Sequence, residues 1–344
     1  MSKEQIAVIA EKALFRPRSR LWELHELHVP FDTLASSSSY EQQARTRLTR
    51  GTCVAVIGQS GTGKSSVIAW LCSQLPPSHF ALRIPVTGVE DPGSVGEVAR
   101  LALSITLDEI VLDNRDQAQL EQARADSKTA TRTPAGVSAK LGGGPIPAEV
   151  NVNVASLREE FTQNRLDGDH LLALNGRLVP ILAEAGITPV FVFEDTEAIV
   201  GGADDRERAE AFFAGPLSAF IDQIDAPTLV AVQTHLTEGS RAFDRLAPVL
   251  ERLTIPLLLE HARHVVDAIL ARRIKLAELD DPITAIFENA ALDELAGFYR
   301  ESDGDLRRLL AAAHEAAEHA AADGANLIGL PHIRFGVAQW PMTR

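Results

Sequence analysis

The chain has 344 residues, 45% of them hydrophobic and 23% charged, with mean hydropathy at zero. That is enough for two compact units with their own cores, and it excludes disordered and fibrous classes. A net charge of -14 argues against a surface that coats nucleic acid non-specifically, while leaving room for a local basic loop. No run of about eighteen uncharged apolar residues occurs and Met1–Gln5 carries no apolar signal core, so a cytoplasmic protein without membrane contact is expected. Aromatic residues make up only 5% of the chain, so Leu, Val, Ile and Ala should dominate the cores. Cys53 and Cys72 fall in apolar segments and read as small fillers.

Residues 1–50 form a lead-in. It holds a basic stretch at 15–20, Val29-Pro30-Phe31, a serine run at 36–39, and a helix ending at Gly51. Residues 52–57 are continuously apolar and β-branched, as in a strand covered on both faces. Val67, Ile68, Leu71, Cys72 and Leu75 then recur at helical spacing. Further strands are expected at 81–86, 189–193, 228–232 and 253–259, with an amphipathic helix through Leu178, Leu182 and Ala185 between them. Alternating strands and helices imply an α/β fold with a parallel sheet. Residues 110–155 do not fit and read as an insertion. Its second half reads as a hairpin, because Val150-Asn151-Val152-Asn153-Val154 alternates at period two and Gly142–Pro145 would turn the chain back towards Gly136–Leu141. After Glu260 the pattern is wholly helical, with helices expected at 261–277, 289–301, 304–322 and 331–340. The domains expected are 1–50 as lead-in, 51–259 as the α/β domain and 260–344 as a small all-α lid.

Gly58-Gln59-Ser60-Gly61-Thr62-Gly63-Lys64-Ser65 fits the pattern G-x-x-x-x-G-K-[ST] between a strand and a helix. Glycines let successive N–H groups converge on phosphate oxygens, and the positive end of the following helix adds to the attraction. Lys64 would face solvent without ligand and meet the β- and γ-phosphates, and the Ser65 hydroxyl would ligate Mg2+; Ser66 extends the segment. Glu194 and Asp195 close the apolar strand at 189–193. Buried carboxylates there are costly unless a cation or hydrogen bonds compensate them; Glu194 would hold Mg2+ through water and Asp195 would orient or deprotonate the attacking water. Glu197 is a third candidate.

With both acidic and phosphate-loop segments, an interposed strand and a helical tail, the chain resembles the AAA+ superfamily, its initiator-like and STAND-like branches. The resemblance implies a P-loop ATPase using ATP and Mg2+. It further implies that Val29 and Pro30 line the adenine and that one of Gln233, Thr234 and His235 is the polar sensor at the end of a strand, with Thr234 the choice carried forward. By the same resemblance Arg252 would reach a neighbour's γ-phosphate and Arg307 the nucleotide of its own subunit. Ser302 and Asp305 form an S-x-x-D capping signal ahead of Leu306, Leu309, Leu310 and Ala313. The acidic order Glu194 then Asp195 reverses the usual one, which bears on hydrolysis rate. No winged-helix module is read after the lid.

Two uses follow from the resemblance. One is a remodeller or loader acting on DNA or a protein client within a homo-oligomeric ring or filament; the other is a nucleotide-gated switch that activates a separate effector. The contact with a partner is expected at 127–154, where Lys128, Arg132 and Lys140 give local positive charge. His314 and His319 are spaced by five and miss the H-E-x-x-H pattern. His261 and His264 offer no third ligand.

Overall fold

Among the described residues, five segments form strands: β1 Cys53–Gly58, β2 His79–Pro85, β3 Thr188–Glu194, β4 Thr228–Gln233 and β5 Leu250–Thr254. They make one all-parallel sheet in the order β2-β3-β4-β1-β5. β2 pairs with β3 from His79↔Thr188 to Pro85↔Glu194, and β3 with β4 from Phe191↔Thr228 to Phe193↔Val230. β1 and β4 are buried along their whole length and β3 at all but its first residue, whereas the edge strand β2 alternates. This is the pattern of a parallel sheet covered on both faces. The computed structural model describes residues 3–17, 21–35, 39–110, 148–163, 166–194, 196, 205–279 and 281–340. Among these, no helix is long and apolar enough to cross a membrane.

Among the described residues, the α-helices before β3 are α1 Lys3–Glu11, α2 Leu21–Leu27, α3 Phe31–Leu34, α4 Tyr40–Thr49, α5 Lys64–Ser73, α6 Val95–Ile110, α7 Ala148–Gln163 and α8 Gly168–Glu184. The chain forms two compact units. One comprises 44–57 and 74–253 and holds nearly all of the sheet, with α6, α7 and α8. Leu, Val, Ile and Ala make up most of its core, as the composition implies, with a run of phenylalanines through it. Phe191, Phe193, Phe212, Phe213, Phe220 and Phe243 form a chain of ring contacts with centroids 5.0–5.9 Å apart. Three of these contacts are edge-on, a geometry that adds to the rings' area burial. Cys53 is buried in β1; burial pushes its thiol up, against the smaller opposite pull of hydrogen bonds with Thr228, so it is an inert filler.

The other unit comprises 1–43, 58–73 and 254–344: the lead-in helices, the phosphate loop with α5, and the C-terminal helices. Those helices run at Ala262–Leu276, Ile283–Ile286, Asn289–Glu301, Leu306–Ala322 and Leu330–Ala338. Phe15 packs on Phe287 at 5.5 Å, both fully buried. Leu306–Ala322 is lined with alanines and meets Leu330–Ala338 so closely that a Cβ on Gly336 would lie 2.2 Å from the Ala312 carbonyl oxygen. Only glycine fits there.

Three sequence expectations are corrected. Val150–Val154 is not a strand but part of α7. Val154, Leu157 and Phe161 are turned to the core at spacings of three and four, so the helical period overrides the local alternation. The first half of the proposed hairpin and residues 127–147 lie outside the described residues. β5 spans Leu250–Thr254 rather than 253–259. Pro256 has no N–H to give to a ladder, and Leu250 and Leu253 supply the buried positions. The helix expected from 304 begins at Leu306, because Asp303 and Gly304 are both left-handed, with φ of 52° and 79°.

Candidate nucleotide site

The loop between β1 and α5 closes on one carbonyl. Gln59 O accepts from Thr62 N at 3.4 Å, from Thr62 Oγ1 at 2.9 Å and from Lys64 Nζ at 2.7 Å, and Nζ also donates to Gly58 O at 3.0 Å. Gly61 and Gly63 take left-handed φ values of 81° and 95°, which L side chains rarely adopt. Lys64 is therefore 4% exposed, correcting the expectation that it faces solvent. Burying an ammonium is costly without partners, and the loop's own carbonyls supply them. Ser65, one residue on, is exposed. Ser66 turns the other way, its hydroxyl 3.2 Å from His28 Nδ1 and 3.4 Å from the Leu24 carbonyl.

The helix Leu306–Ala322 meets this loop at its first residue. Leu306 N donates to Gly61 O at 3.0 Å, and a Cβ on Gly61 would lie 2.1 Å from Asp305 Oδ1. Asp305 is the N-cap, accepting from Arg307 N at 2.9 Å and Arg308 N at 3.0 Å. The cap is thus Asp305 itself, not Ser302, whose hydroxyl donates to Tyr299 O. Arg307 is exposed in the first helical turn, and Arg308 Nε lies 3.6 Å from Asp305 Oδ2. Val29 and Pro30 are half-buried ahead of α3.

In the sheet unit, Glu194 ends β3 at 4% exposure. Its carboxylate has a resident cation: Arg83 Nε donates to Oε1 at 2.5 Å from β2. The sequence reading missed Arg83, whose only signal is a lone charge inside an apolar strand. Arg83 Nη2 is buried and has no hydrogen-bond partner. Asp195 and Glu197 lie outside the described residues. Thr196 follows, buried, with its hydroxyl donating to Ala231 O on β4. Gln233 is buried at the end of β4, Thr234 half-buried and His235 exposed. Arg252 is held inside its own unit: it donates to Phe243 O at 2.8 Å and to Asp244 Oδ1 at 3.1 Å, and its guanidinium lies 4.4 Å from the centre of the Phe243 ring.

One further cluster invites a metal. His319, Asp323 and His332 bring ligand atoms within 4.8 Å of one another. His332 Nδ1 accepts the Gly329 N–H at 2.9 Å, so its proton sits on Nε2, which faces Asp323 Oδ2 at 3.4 Å. A nitrogen carrying its proton has no lone pair for a metal, and the group reads as a helix cap with a carboxylate partner.

No protein family matches the sequence, and no curated protein matches it. Solved structures do. The ORC1 protein of Aeropyrum pernix in complex with DNA is 14% identical over 90% of this chain and 68% of that one, with a TM-score of 0.48. The ORC2 protein of Aeropyrum pernix with ADPNP and ADP is 12% identical over 91% and 72%, TM-score 0.48. Cdc6p of Pyrobaculum aerophilum is 13% identical over 92% and 73%, TM-score 0.49. The chain resembles them in fold.

Proposed function

We propose that this chain binds Mg-ATP at Gly58–Ser66 and hydrolyses it to ADP and phosphate in an assembly of like subunits, driving a change in a DNA or protein client. The observation that carries this reading is the loop itself: two left-handed glycines, a lysine nested under them, and an exposed Ser65 opening α5. Incoming phosphates give the Lys64 ammonium a stronger partner than two neutral carbonyls. In this reading Ser65 and Glu194 serve Mg2+, Asp195 the attacking water and Thr234 the polar sensor. Arg307 and Val29 contact the nucleotide of their own subunit, and Arg252 acts on a neighbour's.

The test is calorimetric titration of Mg-ATP into the wild type and Lys64→Ala. Two charge-assisted contacts are lost, so affinity should fall roughly a hundredfold or more. Equal affinities in two variants with the same circular dichroism spectrum would sink the assignment. A second reading, a nucleotide-gated switch with slow turnover, is favoured by the Arg83–Glu194 pair, which occupies a carboxylate that hydrolysis would need.

A further inference from the structure

His28 and Glu41 are 7% and 4% exposed, and the chemistry proposed above uses neither. His28 Nε2 lies 3.0 Å from Glu41 Oε1, and the same oxygen accepts the Phe31 N–H at 2.8 Å. The other His28 ring nitrogen, Nδ1, lies 3.2 Å from the Ser66 hydroxyl, which donates to the Leu24 carbonyl at 3.4 Å. The ring is packed 5.8 Å from Trp70 on α5 and 6.3 Å from Phe31, which in turn meets Tyr40 edge-on at 5.4 Å. Burial, with Glu41 beside it, pushes the Tyr40 hydroxyl well above its usual range, so it stays neutral.

A buried polar set of this kind is not the cheapest way to fill space, since apolar side chains of similar volume are often as stable. What it supplies is register. Ser66 sits two residues after Lys64 on α5, so the His28–Ser66 contact fixes residues 28–31 against the first turn of the phosphate helix. The Glu41–Phe31 bond fixes the other side. Between these anchors, Val29 and Pro30 stay half-buried, with Pro30 extended at φ -60° and ψ 144°. A ligand whose phosphates lie in the loop has its apolar end still to place, and this pinned pair is an apolar ledge fastened beside it.

We propose that His28 and Glu41 are positioning residues that hold Val29–Pro30 rigid as the seat of the nucleoside, so that they set affinity for base and sugar but not for the phosphates. This rests on the nucleotide reading of the loop. The experiment titrates Mg-ATP and magnesium tripolyphosphate into the full chain and into Glu41→Ala, Glu41→Gln and the apolar double variant His28→Leu/Glu41→Leu. Glu41→Ala should weaken Mg-ATP about tenfold and tripolyphosphate by less than about twofold, the loss of one charge-assisted link felt only through the nucleoside. Glu41→Gln keeps an acceptor for Phe31 and His28 and should bind as the wild type does. The double variant tests the same point in a core without a buried charge, and should lose ATP selectively with its circular dichroism spectrum unchanged. Parallel weakening of both ligands, or full Mg-ATP affinity in both Glu41→Ala and the double variant, overturns the proposal. Equal binding of the two ligands by the wild type overturns the ledge alone, and binding of neither overturns the nucleotide reading with it.

Discussion

Glu194 illustrates how far a single residue can be read from its neighbours in sequence. A buried carboxylate at the end of an apolar strand is costly without a cation or hydrogen bonds, and the sequence suggests a metal; the structure supplies Arg83. Its side chain is 21% exposed and that of Glu194 5%, so the pair lies between a surface ion pair and a fully buried one. Removing one partner of a buried pair costs about 3–5 kcal/mol, and the exposure of Arg83 lowers that to roughly 2–3 kcal/mol. Arg83→Met should therefore lower the unfolding free energy by about that amount without nucleotide, measured by urea denaturation. If Mg2+ compensates Glu194 when nucleotide is bound, Mg-ATP should raise the melting temperature of Arg83→Met more than that of the wild type. An equal shift in both proteins would leave Glu194 as a structural partner of Arg83 only.

At the scale of elements, the central strands were legible because their apolar runs are continuous and bounded, and the phosphate loop because its eight residues are contiguous. What failed did so for identifiable physical reasons. The alternation in Val150–Val154 is local, whereas α7 is decided by which residues reach the core at Val154, Leu157 and Phe161. The burial of Lys64 depends on the loop closing over its own lysine, and the His28–Glu41 and Arg83–Glu194 pairs join residues 13 and 111 apart, beyond any spacing rule. The short helix Arg241–Arg245 is another such case. Its cap Ser240 accepts from Phe243 N at 3.0 Å, and Glu210, from a different helix, accepts from Ala242 N at 3.0 Å. Burial alone would raise the Glu210 pKa, but the Ser240 hydroxyl and the Ala242 and Arg241 N–H groups outweigh it and the net shift is downward. A carboxyl with a lowered folded pKa contributes stability that is fully present above its unfolded value of about 4.3 and is lost as pH falls through the folded value. Glu210→Gln should accordingly be less stable than wild type at pH 7, with the gap closing as the pH falls below about 4. Melting temperatures of both proteins across that range check it; a gap that is constant with pH would mean that Glu210 acts through packing and not through charge.

At the scale of the whole molecule, the proposed activity depends on Arg252 doing something its present contacts do not show. Its guanidinium is engaged by Asp244, the Phe243 carbonyl and the Phe243 ring, all within the sheet unit. These are partly exposed contacts, worth about 1 kcal/mol each at most, so a stronger anion on a neighbouring subunit can outcompete them. Arg307, by contrast, stands in the first turn of a helix whose N-cap touches Gly61 of the same unit, and needs no second subunit to be near the loop. The two arginines therefore differ in a way that mixing separates. A subunit with Arg252→Ala keeps an intact phosphate loop, and a subunit with Lys64→Ala keeps an intact Arg252. In an assembly where Arg252 acts across the interface, the mixture should hydrolyse ATP measurably faster than either variant alone. A mixture of Arg307→Ala with Lys64→Ala should not recover, because on the proposed roles each subunit then lacks a part of its own pocket. Adding Asp244→Ala to an otherwise wild-type chain removes the charged partner of Arg252, and should raise turnover at fixed protein concentration while lowering the melting temperature slightly. If the first mixture stays inactive and Asp244→Ala changes stability alone, Arg252 is a clasp within its own unit and the residue completing the site must come from elsewhere.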